Sequence, residues 1–140
     1  MVEINNQARV DIDLDKLKKV TEKFLDFQNL NDMEVSLALV TDKEMKRINQ
    51  AYRDSDRPTD VLAFPVSEKE KKEENFLGEI LLDWKQIKRQ ARKLDKKKEE
   101  ELIFILIHGL LHLLGYKDET SADKEKMLEK GKEIIKELKF

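Results

Sequence analysis

Apolar residues along the chain recur with two periods, and the alternation between them sets out the elements. Residues 2–6 and 9–13, VEINN and RVDID, alternate over short spans and predict a strand or two. From Leu14 the apolar positions Leu14, Leu17, Val20, Phe24 and Leu25 fall at helical spacing. MEVSLALVTD (33–42) predicts a strand, and its Thr41-Asp42-Lys43-Glu44 end has the capping-box form that starts a second helix through Met45, Ile48 and Tyr52. Two prolines bracket PTDVLAFP (58–65), whose middle predicts a short strand, because proline is tolerated mainly at strand ends. SEKEKKEEN (67–75) has no apolar face and is expected to be a mobile loop.

FLGEILLD (76–83) predicts another strand. After it, Trp84, Ile87, Ala91 and Leu94 share one helical face, and Lys85, Lys88, Arg89, Arg92 and Lys96 occupy the other. Glu99, Glu100 and Glu101 suit the positive first turn of the next helix, and Gly115 ends that helix. Thr120 with Asp123 offers a last capping box, for a helix carrying Met127, Leu128, Ile134, Ile135 and Leu138. The expectation is an α/β (α+β) fold: a small mixed sheet of about four strands packed with about five helices, in a single domain over residues 1–140.

Composition narrows the chemistry. No cysteine is present, so thiolate and disulfide chemistry are excluded, and a metal would need His, Asp, Glu or backbone oxygen. Charged residues make up 41% of the chain, yet the net charge is only −2. Nucleic acid would therefore have to be met by a local patch such as the Lys85–Lys96 face, whose plain alternative is a solvated helix surface. Nothing at the amino end reads as a signal peptide, and the apolar run 102–114 falls short of the ~18 residues a membrane span requires. A cytoplasmic protein without a membrane partner is expected.

Both histidines lie in HGLLHLLGYKDE (108–119). Residues four apart on a helix share a face, so His108 and His112 can reach one point. The glycine break at Gly115 can then bring Asp118 back to the same ion. A lone histidine in an apolar helix is usually a core residue. Two together, followed by a glycine and an acidic residue at ligand spacing, favour a metal site, with a position left open for water. The spacing matches the metzincin peptidase motif, except that Gly109 stands where a peptidase has its glutamate base and Asp118 where it has a third histidine. Gly109 costs helix stability of roughly 1 kcal/mol, and its missing side chain is read as clearing space for substrate beside the metal.

HGLLHLLGYKDE resembles the signature HGxLHLxGYDH of the YbeY-type endoribonucleases, the bacterial rRNA maturation factors. INQAYRDSDRPTDVLAFP (48–65) resembles that family's Asn-x-x-Tyr-Arg and Pro-Thr-Asp-Val-Leu-Ser-Phe segments, and FLGEILL (76–82) its Leu-Gly-Asp-Ile strand. The resemblance implies a zinc-dependent, single-strand-specific endoribonuclease acting in maturation of the 16S rRNA 3′ end and in ribosome quality control. Its implied partners are single-stranded rRNA and the small ribosomal subunit. It also implies that His108 and His112 are metal ligands and that Arg53 is the catalytic arginine, whose plain alternative is a surface ion pair with Asp54 or Asp56. Asp118 departs from the family's third histidine, which widens metal choice from zinc toward harder ions. Thr59 and Asp60 match family positions but read as turn and strand-start residues. Tyr52 and Trp84 read as core packing rather than base stacking, and the RNA-binding residues are not legible. The rival readings are a peptidase-like metal hydrolase, disfavoured by Gly109, and a non-enzymatic ribosome-binding factor with a structural metal.

Overall fold

The computed structural model describes residues 1–53 and 59–139. The chain runs β1 (Val2–Asn6), α1 (Leu14–Phe27), β2 (Glu34–Val40), α2 (Asp42–Arg53), β3 (Val61–Pro65), α3 (Glu68–Glu74), β4 (Phe76–Asp83), α4 (Trp84–Lys93), α5 (Lys98–Leu113) and α6 (Ser121–Leu138). The strands form one mixed sheet in the order β1-β2-β4-β3. β1, β2 and β4 are parallel, and β3 is an edge strand antiparallel to β4.

The two capping boxes form as expected. Thr41 Oγ1 accepts from Glu44 N at 3.2 Å to start α2, and Thr120 Oγ1 accepts from Asp123 N at 3.0 Å to start α6. Two expectations change. Residues 9–13 form no strand, because Asn6 takes Val10 at both its backbone groups (2.9 and 3.1 Å) and Asp13 turns to cap α1 through Lys16 N at 3.0 Å. The charged segment 67–75 is not a loop but contains helix α3, started by Ser67 accepting from Glu70 N at 3.2 Å and ended by Asn75 in the left-handed region at φ 52°. Local capping suffices for it, and it buries nothing.

The two faces of the sheet are covered unequally. On one face α1, α5 and α6 build the main core around Leu17, Val20, Phe24, Leu106, Ile107 and Ile134, all at most 1% exposed. On the other, α2 covers a smaller cluster of Ala38, Val40, Met45, Leu62 and Leu81. Helix α5 is apolar almost all round and has ten buried residues, as befits a helix between the sheet and α6. That burial fixes the histidine helix in place.

Candidate metal centre

The end of α5 has the full form of a left-handed glycine cap. Gly115 adopts φ +98°, a conformation costly for residues with a Cβ. Its N–H donates to His112 O at 3.0 Å, and Tyr116 N donates to Leu111 O at 3.1 Å. This turn brings the Tyr116 carbonyl to 3.0 Å from His112 Nδ1. A carbonyl can only accept, so Nδ1 carries the proton and the Nε2 lone pair is free for a metal.

His112 Nε2 lies 3.2 Å from His108 Nε2. Beyond the turn, Asp118 Oδ2 stands 3.6 Å from His112 Nε2 and 3.9 Å from His108 Nε2. Ligands at about 2.0–2.2 Å from a tetrahedral ion are separated by about 3.3–3.6 Å, so one ion fits among these atoms with little adjustment. Burial, helped by His112, pushes the His108 pKa down, against the opposing charges of Asp118 and Asp60. A depressed imidazole is neutral at physiological pH, the form that ligates.

The three groups open on a cavity of about 260 Å³. Thr59, Asp60, Val61 and Ala63 supply one wall, Phe104 and Ile105 continue the α5 floor, and Leu128 of α6 closes a side. Arg53 is the last residue of α2, and its side chain lies outside the described residues, as do Asp54 and Asp56.

The Endoribonuclease YbeY family model matches residues 3–139. The chain belongs to that family. A YbeY endoribonuclease of Sulfurihydrogenibium is 38% identical over 112 residues, covering 80% of this chain and 74% of its own. The one from Thermotoga maritima is 34% identical, covering 99% of this chain and 89% of its own. A solution structure of a Thermotoga maritima protein aligns with a TM-score of 0.67 and 32% identity, over 99% of this chain and 89% of that one. Family membership fits the mixed sheet and the group at the end of α5 that could hold a metal ion.

Several residues sit elsewhere than the sequence suggested. Gly109 does not face the cleft: a Cβ there would stand 3.1 Å from Val61 Cγ2 and 3.2 Å from Ile80 Cγ2. Its bareness lets α5 lie close on the sheet, and a peptidase-type glutamate at 109 would have to displace those side chains. Trp84 is buried as expected, but Tyr52 is 73% exposed and meets Phe64 edge to face at 5.5 Å, so it is not core. The basic face of α4 is largely engaged within the protein. Arg89 grips Asp42, Lys88 lies over the Trp84 ring at 5.5 Å, and Lys96 pairs with Glu101 at 2.8 Å. Glu101 itself is 2% exposed, so it serves a buried ion pair as well as the helix dipole. Asp60, passed over as a strand-start residue, stands in the cleft wall. Its match to the Pro-Thr-Asp segment was the available signal, but the contact that fixes its side chain comes from a residue 30 positions away.

Proposed function

We propose that this chain is a metal-dependent endoribonuclease that cuts single-stranded RNA, and that its substrate is the 3′ region of precursor 16S rRNA, met in the cytoplasm on the small ribosomal subunit, where the cut also serves quality control. The carrying observation is the convergence of His108, His112 and Asp118, whose ligand atoms all lie within 4.8 Å of one another, at the mouth of a cleft in a chain of the YbeY family. The His₂Asp donor set suits zinc, and its carboxylate also admits harder divalent ions. Bound there, the ion would supply Lewis acidity toward the phosphate and a nucleophilic water at neutral pH.

The chain's own residues supply orientation. The Tyr116 carbonyl fixes the His112 tautomer, and the apolar walls at Val61, Ala63, Phe104 and Ile105 exclude bulk water from the scissile phosphate. Arg53, at the position of the family's catalytic arginine, would hold the phosphate through a bidentate guanidinium contact that lysine cannot reproduce.

The test follows a labelled single-stranded 16S precursor 3′ fragment on a denaturing gel, with wild type, Arg53→Ala and His112→Ala at matched purity, with and without zinc. Cleavage by wild type alone, dependent on metal, is the expected result. Equal cutting by all three would assign the activity to a contaminant. If none cuts, even with small subunits supplied, the chain is a binding factor rather than a nuclease.

A further inference from the structure

Phosphodiester hydrolysis by water requires an acceptor for the water's proton. The peptidase solution is closed, because position 109 is pressed on the sheet. Asp118 is drawn into the ligand group. Among the described residues lining the cleft, Asp60 is the remaining carboxylate.

Asp60 is held by an ordered chain of polar groups. Its backbone carbonyl accepts from Asp83 N at 3.0 Å, which ties it to the end of β4. Gln90 Nε2, on α4, donates to Asp60 Oδ2 at 2.9 Å and to Glu101 Oε2 at 3.3 Å. Glu101 takes Lys96 Nζ on its other oxygen at 2.8 Å. Gln90 Oε1 accepts from Gln86 Nε2 at 3.3 Å, which fixes which end of the Gln90 amide faces the acids. Both protons of that amide thus go to carboxylates, and the row Lys96–Glu101–Gln90–Asp60 runs from a buried ion pair to the cleft wall. Asp60 Oδ2 is engaged. Among the described residues, Oδ1 is met by the Thr59 hydroxyl alone, at 3.5 Å. One carboxylate oxygen is held and the other is left available, as a positioned base requires.

We propose that Asp60 accepts the proton of the attacking water and that Gln90 is the residue that positions it. The inference rests on the endoribonuclease reading. In the step, the water oxygen bonds to phosphorus while its proton passes to Asp60 Oδ1. The bond from phosphorus to the leaving ribose oxygen breaks, and that oxygen takes a proton from solvent. Asp60 then releases its proton to bulk water, so one water is consumed for each bond cut. Among the described residues, the charged and titratable groups around Asp60 are His108, Asp118 and, through Gln90, the Glu101–Lys96 pair.

The experiment compares wild type, Asp60→Asn, Asp60→Glu, Gln90→Met and His112→Ala as zinc-loaded full-length protein. It reads kcat, KM and pH–rate profiles on a labelled single-stranded RNA, and zinc affinity by competition with a chromophoric chelator. Asp60→Asn should lower kcat by about 10²–10⁴-fold, leave KM and zinc affinity within about threefold, and lose the acid limb of the profile. Asp60→Glu should recover part of the rate, and Gln90→Met should lower kcat by about tenfold with zinc affinity intact. The proposal is overturned if wild type cleaves and Asp60→Asn keeps its kcat and profile. It is also overturned if Asp60→Asn loses about 10–100-fold in zinc affinity, which would make Asp60 a support of the ion instead. Wild-type cleavage no greater than that of His112→Ala would sink the endoribonuclease reading itself, and this proposal with it.

Discussion

Two neighbouring residues of α4, Arg89 and Gln90, reach into two acidic clusters that have opposite characters. Arg89 donates to both oxygens of Asp42, at 2.7 and 3.1 Å, and is itself held by Gln86 Oε1. Beside this pair lies Asp83, wholly buried, whose Oδ1 caps α4 by accepting from Gln86 N at 3.2 Å. Burial first, then the hydrogen bond with Asp42, pushes the Asp83 pKa up to about 7. Arg89 holds Asp42 at about 2. Among the described residues no donor approaches Asp83 Oδ2, which suits a carboxyl that burial and the neighbouring Asp42 favour in its protonated form. The hydrogen bonds of Arg89 and the cap at Asp83 Oδ1 stay within the protein. Around Gln90 the pattern is looser: the chain ends at Asp60 with an oxygen toward an open cleft. Among the described residues the largest pKa displacement therefore marks a buried carboxyl that caps a helix, and the candidate chemistry lies where an oxygen faces the cleft.

That contrast can be tested by breaking each side. The largest effect is expected from His112→Ala. Zinc at about 1,000 times its Kd should stabilise the wild type by about 4 kcal/mol, and the variant should show almost none of this shift in thermal unfolding while remaining folded without metal. The acid pair should respond to pH instead. Because the native Asp83 pKa lies above its unfolded value of 3.8, the native state keeps a proton that the unfolded chain releases. The Asp83 contribution to stability therefore falls as pH rises from about 4 to 7. In Asp83→Asn, the side chain is neutral at every pH and its amide oxygen can still cap α4. Its stability relative to wild type should rise by about 2 kcal/mol between pH 5 and pH 8 in urea unfolding, with RNA cleavage unchanged. A loss of cleavage in that variant would erase the distinction between the two clusters. The smallest effect is expected for Gly109→Ala, where crowding against Val61 and Ile80 is partly offset by helix propensity. It should cost about 1 kcal/mol, a fall of several degrees in Tm.

The candidate metal ligands were legible because they lie close in sequence. A helical period relates His108 to His112, and a glycine marks the turn to Asp118, so chain geometry alone brings them together. The strands and capped helices were legible for similar reasons. Helix α3 was not, since it buries no face and leaves no apolar period. Tyr52 sits on the expected stripe of α2, but a period gives direction and not depth, and among the described residues it meets the Phe64 ring while staying largely exposed. Gly109 illustrates the same limit: its missing Cβ points at the sheet, a direction set by how α5 is rotated. Asp60 and Gln90 meet only because β3 packs beside β4 and α4 follows β4. No local pattern encodes that meeting.

The cleft is also built on two scales of chain separation. Its metal side is one continuous piece, from the last turns of α5 to Asp118, closed by a short loop. Its opposite wall, Thr59 to Ala63, comes from an edge strand far upstream that joins the sheet only through β4. Closing the first costs little chain entropy, and closing the second costs more. Holding an ion would thus be a local property of the α5 segment, whereas a competent cleft reports that the whole sheet, out to its last strand, has assembled.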